Sequence, residues 1–185
     1  MFDTAIESAA DVLRQGGIVA YPTEAVWGLG CDPRNEAALA RLLELKGRPA
    51  HKGLILVAAT FEQLRPYLQP LPPEREAAVL ATWPGPVTWV WPAAGEVSPL
   101  LCGGHDTLAV RVSDHPLVVA LCEAFGGPVV STSANRAGMP PARSEAQLRE
   151  RFGKGVDFIL PGETGGRDRP SEIRDAPSGR VLRKG

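Results

Sequence analysis

The sequence is poor in the residue types that build disulfide frameworks and metal centres. Its 185 residues include only three cysteines, namely Cys31, Cys102 and Cys122. These are widely spaced, an odd number, and contain no Cys-x-x-Cys pair, and the three histidines are equally scattered. This pattern argues against a disulfide scaffold and against a zinc site. We therefore predict reduced thiols in a cytoplasmic protein without metal-ligating residues.

Long apolar runs and an excess of one charge are also missing. No apolar stretch approaches the roughly 20 residues that span a bilayer, and the first residues do not resemble a signal peptide. These two observations predict no association with a membrane. The formal net charge is -1 and the isoelectric point is about 6.3. A protein whose main role is to wrap nucleic acid would carry more positive charge, although a local basic face remains compatible with these values.

Several familiar catalytic motifs are absent from the sequence. It contains no Gly-x-x-x-x-Gly-Lys-Ser/Thr loop, no Gly-x-Ser-x-Gly elbow and no His-Glu-x-x-His pair. The segment Gly28-Leu29-Gly30 lacks the third glycine and the following helix of a dinucleotide-binding fingerprint. P-loop, Rossmann, α/β-hydrolase and zincin functions are therefore excluded.

The residues that are present suit one α/β domain over residues 1–185. The length allows a sizeable single core, and 18 prolines with 20 glycines predict short elements joined by many loops. Apolar periodicity predicts helices over residues 4–15, 35–45, 61–68, 74–83, 116–125 and 144–152. It predicts strands over 18–21, 54–57, 87–91, 108–112, 129–130 and 158–160, with a terminal hairpin or edge strands at 171–174 and 180–182. Several connections are too short for crossover helices, so we predict a mixed, twisted sheet rather than a parallel one.

Local signals place the ends of these elements. Asp3 and Asn35 are candidate N-caps, and Thr60–Gln63 and Ser144–Gln147 fit capping boxes. The segment 21–30 contains two glycines and shows no clear periodicity, so we interpret it as a loop with special backbone requirements.

A cationic loop follows the second predicted helix. Lys46, Arg48 and Lys52 fall within seven residues, and glycine and proline interrupt them, so they do not form a helix face. The loop leads into the apolar strand 54–57. Loops on a rigid strand often bind anions, but these residues alone favour the simpler interpretation of a solvated basic loop.

Polar residues also occur at strand positions. One such segment, Ser131-Thr132-Ser133-Ala134-Asn135, follows an apolar strand, at the position where open α/β sheets bind ligands. A turn whose Ser and Asn side chains hydrogen-bond to their own backbone explains the segment equally well. Thr23 follows the first strand, where a threonine can cap a helix or a turn as readily as it can bind a ligand. Arg111 interrupts an apolar strand and requires a partner or a ligand. Taken alone, its sequence context favours a structural salt bridge or an exposed edge.

Taken together, several sequence blocks carry a resemblance that none of them carries alone. They include Tyr-Pro-Thr-Glu-Ala-Val-Trp-Gly-Leu-Gly-Cys-Asp-Pro at 21–33, Leu-Lys-Gly-Arg-Pro at 45–49 and Ser-Thr-Ser-Ala-Asn at 131–135, with further blocks at 52–56, 83–88, 108–112, 161–166 and 170–175. In this order, over almost the whole chain, they resemble the YrdC/TsaC family, the threonylcarbamoyl-AMP synthases of tRNA modification.

The resemblance implies a twisted open sheet around a concave, positively charged cavity. It implies a nucleotidyltransferase that converts L-threonine, bicarbonate or CO2 and ATP, with Mg2+, into L-threonylcarbamoyl-AMP and pyrophosphate. Proteins like TsaB, TsaD and TsaE would then use the product to modify adenosine 37 of tRNAs that read codons beginning with A. The alternatives are a non-catalytic module that binds tRNA or double-stranded RNA, and a related enzyme that makes a carbamoyl-type adenylate from another amine.

The resemblance also assigns roles to individual residues. Lys46 and Arg48 would be the catalytic pair that holds the ATP phosphates. The ATP site would comprise Lys46, Arg48, Lys52, Thr107, Ser133, Asn135 and Arg183. The threonine site would comprise Thr23, Arg111, Ser131 and Ser171.

Three features depart from the longer branch of this family. Val57 stands where longer members carry a histidine, so a threonine contact by that side chain is absent or replaced. Lys52 stands where the longer branch often has asparagine. The sequence stops at Gly185, which resembles the short, single-domain branch.

Overall fold

The computed structural model describes residues 2–185, which form one mixed sheet with helices packed against it. The strands are β1 (Val19–Pro22), β2 (Trp27–Gly30), β3 (Ile55–Ala58), β4 (Val87–Pro92), β5 (Thr107–Val112), β6 (Val129–Ser133), β7 (Phe158–Ile159), β8 (Glu172–Asp175) and β9 (Val181–Arg183). The helices are α1 (Phe2–Arg14), α2 (Glu36–Lys46), α3 (Phe61–Leu64), α4 (Pro73–Leu80), α5 (Pro99–Cys102), α6 (Pro116–Phe125) and α7 (Glu145–Phe152).

The sheet is open and mixed, as predicted. Its nine strands lie in the order β7-β1-β2-β6-β3-β5-β4-β8-β9. The pairs β1/β7, β3/β5 and β4/β8 are parallel, and the other neighbours are antiparallel. The predicted terminal hairpin is confirmed, since β8 and β9 pair antiparallel at one edge.

Both faces of the central strands are covered, because successive side chains of a strand point to opposite sides. Ile18 and Ala20 belong to one buried apolar cluster, whereas Val19 and Tyr21 belong to a second one. The second cluster also contains apolar residues of α1 and α6, which pack against each other. All three cysteines are free and buried.

Two of the predicted caps are present and two are not. Asn35 Oδ1 accepts a hydrogen bond from Ala38 N, and Ser144 Oγ accepts one from Gln147 N. The prediction for Asp3 is wrong, because α1 already begins at Phe2. Thr60 makes no cap hydrogen bond with its side chain. Gln63 Oε1 accepts instead from Ala59 N at 2.9 Å.

The interpretation of residues 21–30 as a loop is wrong. Trp27–Gly30 forms β2, which pairs antiparallel with β1 along its whole length. Neither glycine of β2 has a positive φ. Glycine is required because neighbouring atoms leave no room for a side chain: a Cβ on Gly30 would lie 2.2 Å from the carbonyl oxygen of Val130. Only the connection 23–26 is irregular, and it therefore positions Thr23 and Glu24 at the tip of a hairpin.

Other boundaries also differ from the sequence prediction. The predicted helix 61–68 divides into α3 and a 3-10 turn at Arg65–Tyr67 that contains a proline. The predicted loop 92–106 contains the short helix α5. The predicted helix 74–83 ends at Leu80, and β6 extends to Ser133, so the hydroxyl cluster lies within the strand.

Leu56 provides a test of this core. It is completely buried on β3, between β5 and β6. We expect Leu56→Ala to lower the free energy of unfolding by about 2–5 kcal/mol, because it deletes buried apolar atoms and leaves a cavity. Denaturant titration measures this loss, with Val181→Ala, at a 43% exposed position of β9, as the control. Equal stability of the two variants would contradict this packing.

Candidate active site

A cavity of about 420 Å3 collects most of the candidate site residues. Its walls include the β1–β2 connection, the loop after α2, strands β5 and β6, the segment before β8, and strands β8 and β9. The candidates that line it are Thr23, Arg48, Lys52, Thr107, Arg111, Ser131, Ser133, Ser171 and Arg183. Lys46 and Asn135 are not among the lining residues. The fold therefore brings together residues that are spread over 160 positions of sequence, from 23 to 183.

Arg48 reaches the cavity because α2 ends abruptly before it. Gly47 adopts a left-handed conformation (φ +59°) and caps the helix, which turns the chain toward the sheet. Arg48 Nε then donates to the carbonyl oxygen of Gly53 at 3.0 Å, and its Nη2 donates to that of Lys52 at 3.3 Å. Burial lowers the pKa of the Arg48 guanidinium. The loop is therefore folded around Arg48, while Lys52 is exposed at the cavity wall.

Lys46 joins the end of α2 to the end of β6. Its side chain is buried, and Nζ donates to the carbonyl oxygens of Ser133 and Asn135, the latter at 2.9 Å. Burial, assisted by the nearby Arg48 charge, lowers the pKa of Lys46 to about 7. In this structure Lys46 supports the strand end behind the cavity.

Asn135 takes part in the same support. Ser133 Oγ donates to Asn135 Oδ1 at 2.5 Å, and Asn135 Nδ2 donates to the carbonyl oxygens of Arg136 and Met139. Asn135 therefore organises the turn after β6, as the turn interpretation of this segment predicts. Ser131 and Ser133, by contrast, line the cavity, so the segment combines a turn with a cavity-facing strand end.

Arg111 points from β5 into the cavity and forms a buried ion pair. Its Nη2 lies 3.2 Å from Glu24 Oε2. Glu24 Oε1 accepts a hydrogen bond from Ser113 Oγ at 2.6 Å. Burial of Glu24 opposes its ionisation, but Arg111 and the Ser113 hydrogen bond outweigh this effect and lower its pKa. The salt-bridge interpretation of Arg111 is therefore correct, and Arg111 also lines the cavity.

Hydroxyl groups complete this side of the cavity. Thr23 Oγ1 donates to the carbonyl oxygen of Val26, which closes the hairpin turn. Ser171 Oγ lies 2.9 Å from Thr88 Oγ1, and Arg183 Nη2 donates to the carbonyl oxygen of Ser171 at 2.7 Å. Burial also lowers the pKa of Arg183, with the Arg111 charge as a smaller cause. These contacts link β4, the tail before β8 and β9.

Several lining or supporting residues were missed by the sequence analysis. They are Glu24, Thr88, Ser113, Arg167 and Arg169. Glu24 lies beside Thr23 in the first sequence block, and this adjacency was the available signal. Arg167 and Arg169 belong to a glycine-rich tail segment whose position depends on backbone hydrogen bonds from Gly165 and Arg167 to Thr23 and Glu24. No local sequence pattern encodes that contact.

Val57 lies outside the cavity. It is completely buried in the cluster with residues of α1 and α6 and is not among the lining residues. The residue two positions earlier, Ile55, does line the cavity. The position that we aligned with a family histidine is therefore a core position in this chain.

Within residues 2–185, no group of three or more histidine, cysteine, aspartate or glutamate residues is arranged to hold a metal ion. Glu24 is the one carboxylate among the described residues that line the cavity, and both its oxygens accept hydrogen bonds from protein groups. These residues therefore do not fit a resident metal. In the same part of the chain, no helix is long and apolar enough to span a membrane.

Comparison with known proteins identifies the family. The Sua5/YciO/YrdC family model, described as "Telomere recombination", matches residues 11–185. The chain belongs to the Sua5/YciO/YrdC family. Among curated members of the family, the threonylcarbamoyl-AMP synthase of Halorhodospira halophila is 58% identical over 179 residues, covering 97% of this chain and 94% of that protein. The threonylcarbamoyl-AMP synthase of Escherichia coli O1:K1 is 55% identical over 183 residues, covering 98% and 96%.

Solved structures of the family have the same fold. P. abyssi Sua5 in complex with L-threonine is 37% identical, with a TM-score of 0.88 over 94% of this chain and 51% of that chain. This chain thus spans about half the length of that Sua5. E. coli YciO is 26% identical, with a TM-score of 0.87, over 99% of this chain and 90% of that chain. The predicted single-domain α/β fold with a mixed open sheet is therefore confirmed.

Proposed function

We propose that this protein is a threonylcarbamoyl-AMP synthase whose active site is the 420 Å3 cavity. The observation that carries the proposal is the convergence of Arg48, Lys52 and Arg183 with Thr23 and Arg111 on one cavity. This combination would provide sites for phosphate groups and for an amino acid in the same cavity. Relatives named as threonylcarbamoyl-AMP synthases, 55–58% identical over nearly the whole chain, support it.

The ATP phosphates would bind at the cationic side of the cavity. Arg48 can contact phosphate oxygens through two N–H groups, while Lys46 is a compact point charge. Lys46 would reach a phosphate by exchanging its carbonyl contacts for the ligand, and Ser133 and Asn135 would bind the nucleotide beside it. Lys52, Thr107 and Arg183 complete the proposed ATP site. Arg167 and Arg169 add positive charge to the lining, which supports a basic cavity.

L-threonine would bind on the Arg111 side. Arg111 would bind the substrate carboxylate, and Thr23, Ser131 and Ser171 would provide hydroxyl groups for the amine and the side chain. All four residues line the cavity. The complex of P. abyssi Sua5 with L-threonine supports an amino-acid site in this fold.

The chemistry requires positioning and neutralisation of charge rather than a strong base. The threonine amine and CO2 form a carbamate with loss of a proton. A carbamate oxygen then attacks the α-phosphorus of ATP, and the bond from that phosphorus to the bridging oxygen breaks as pyrophosphate leaves. The nucleophile is already an anion, so fixed cations and hydroxyls are sufficient to orient the reactants and stabilise the developing charge.

Mg2+ would accompany the nucleotide rather than occupy a protein site. The cavity has no carboxylate to spare for it, so phosphate oxygens and water would supply its ligands. None of the steps proposed for this chain's residues passes through the metal.

The product would serve tRNA modification in the cytoplasm. Threonylcarbamoyl-AMP is a mixed anhydride and must pass to an acceptor before it hydrolyses. Proteins like TsaB, TsaD and TsaE would transfer the threonylcarbamoyl group to adenosine 37 of tRNAs that read codons beginning with A, and tRNA is a further candidate partner.

Release of pyrophosphate under omission of single substrates tests the proposal. We expect release with ATP-Mg2+, L-threonine and bicarbonate together, and no release above background when threonine or bicarbonate is omitted. Release that does not depend on threonine would contradict the assignment. The RNA-binding alternative predicts no release at all, together with RNA affinity that falls steeply with salt.

A further inference from the structure

A buried carboxylate reaches Arg111 from an element that is distant in the sheet. Glu24 lies at the tip of the β1–β2 hairpin, and two strands, β6 and β3, separate β2 from β5. The ion pair nevertheless closes at 3.2 Å, with side-chain exposures of 9% for Arg111 and 8% for Glu24. The hairpin therefore extends over the sheet and places the Glu24 carboxylate beside Arg111 at the cavity wall.

The second oxygen of Glu24 is fixed as well. Oε1 accepts from Ser113 Oγ at 2.6 Å, and Ser113 Oγ accepts in turn from the backbone N–H of His115. Ser113 is completely buried just after β5 and is not among the residues that line the cavity. Contacts at both oxygens prevent rotation of the carboxylate, so Glu24 presents a fixed acceptor to Arg111.

Among the described residues, Glu24 is the one close partner of the Arg111 guanidinium. Its Nε is buried without a hydrogen-bond partner, and its Nη1 lies 3.5 Å from Thr88 Oγ1, at the limit of a hydrogen bond. Buried donors are normally satisfied, and each one left unpaired lowers stability. The pattern of one firm contact and further donors without good partners, in a residue that lines a cavity, indicates that a ligand completes the set.

We propose that Glu24 is a positioning residue that holds the Arg111 guanidinium in the orientation that receives the carboxylate of the amino-acid substrate. This inference rests on the proposed function and names the group that determines the geometry of its threonine site. Glu24 acts through Arg111 and does not itself contact the reacting atoms. Ser113 fixes Glu24 in the same way, one step further from the substrate.

A purely structural ion pair would behave differently on mutation. Buried ion pairs contribute little net stability compared with apolar residues, and a structural defect lowers the amount of active protein without changing affinity for one substrate. A positioning role instead raises KM for threonine selectively. The distinction is therefore the comparison of KM for threonine with KM for ATP.

The experiment is steady-state kinetics of the full chain with Glu24→Gln, with each substrate varied in turn at saturating levels of the others. We expect KM for threonine to rise roughly 10- to 100-fold, the range expected for coupled residues in contact. KM for ATP should stay within about twofold, because, among the described residues that line the cavity, the Glu24 side chain bonds to Arg111 alone. Ser113→Ala should raise KM for threonine less than Glu24→Gln does.

A double-mutant cycle tests whether the effect passes through Arg111. If it does, Glu24→Gln should add little to Arg111→Gln, so the double variant should resemble the Arg111→Gln variant. Glu24→Asp retains the charge and is expected to recover part of the affinity for threonine. Glu76→Gln removes the half-buried partner of Arg65, outside the cavity lining, and is the matched control, with unchanged kinetics expected.

Several results would overturn the inference. An unchanged KM for threonine in Glu24→Gln, an equal rise of both KM values, or an additive double variant would each contradict it. If Glu24→Gln does not fold, as judged by its melting curve, unchanged KM values in both Ser113→Ala and Glu24→Asp would contradict it equally. An inactive wild-type protein would overturn the proposed function itself, whereas an active wild type with insensitive variants overturns only the role of Glu24.

Discussion

Arg48→Ala is expected to lower kcat/KM for ATP by roughly 10²- to 10³-fold, the loss typical of removing one group that stabilises transition-state charge. Arg48 lines the cavity, and its guanidinium is braced by the carbonyl oxygens of Gly53 and Lys52. These two hydrogen bonds fix the direction of the guanidinium. The cation is therefore already in place when negative charge develops on the leaving pyrophosphate. Alanine removes that cation, and Lys52, the other cation of this loop at the cavity wall, is exposed.

The same substitution should change stability far less than activity. Arg48 is half-buried, and its contacts are local ones within its own loop. Parallel melting curves and kinetics separate the two effects, with Arg34→Ala, an exposed residue paired with Asp32, as the control for loss of an arginine. An unchanged rate in Arg48→Ala would exclude the phosphate role, and a large loss of stability would indicate a structural role instead.

Because of Lys46, the activity of the protein should fall with rising pH while its stability rises. Burial lowers its pKa to about 7 in the folded protein, from an ordinary value of 10.5. The charged form is the one that binds phosphate, so kcat/KM for ATP, which reports the free enzyme, should fall as pH rises through about 7. We expect Lys46→Met to show low activity without this descending limb.

The stability of the wild type should rise over the same range. Between about pH 7 and 10.5 the unfolded chain binds the proton that folded Lys46 has released, so raising pH favours the folded state, by at most about 1.4 kcal/mol per pH unit. Denaturant titrations at several pH values, compared with Lys46→Met, measure this slope. Equal slopes in the two proteins, or an activity that rises with pH through 7, would contradict a buried lysine with a lowered pKa.

The framework of the fold could be predicted from local patterns. Strands β3 to β5 and helices α2 and α6 follow from apolar periodicity and from caps such as Asn35. The β1–β2 hairpin could not, because Gly28 and Gly30 suggested a loop. Their actual requirement is space beside Val130 and Tyr21, which are partners distant in sequence or across the hairpin.

The candidate site, like the fold, was predicted only in part from the sequence. The sequence blocks identified Arg48, Thr23 and Arg111, which the fold places on one cavity. They did not identify Glu24 as the partner of Arg111, because that pair forms across two intervening strands. Nor did they indicate that Lys46 would lie behind the cavity, where its Nζ donates hydrogen bonds to two carbonyl oxygens. Such contacts depend on the tertiary structure rather than on local sequence.

The most direct test of the central claim is mass spectrometry of the product. The protein would be incubated with ATP-Mg2+, L-threonine and isotopically labelled bicarbonate. The account predicts a threonylcarbamoyl adenylate that carries the carbon label, is lost when threonine is omitted and is strongly reduced in Arg48→Ala. An adenylate without the label, or no adenylate from folded protein, would contradict it.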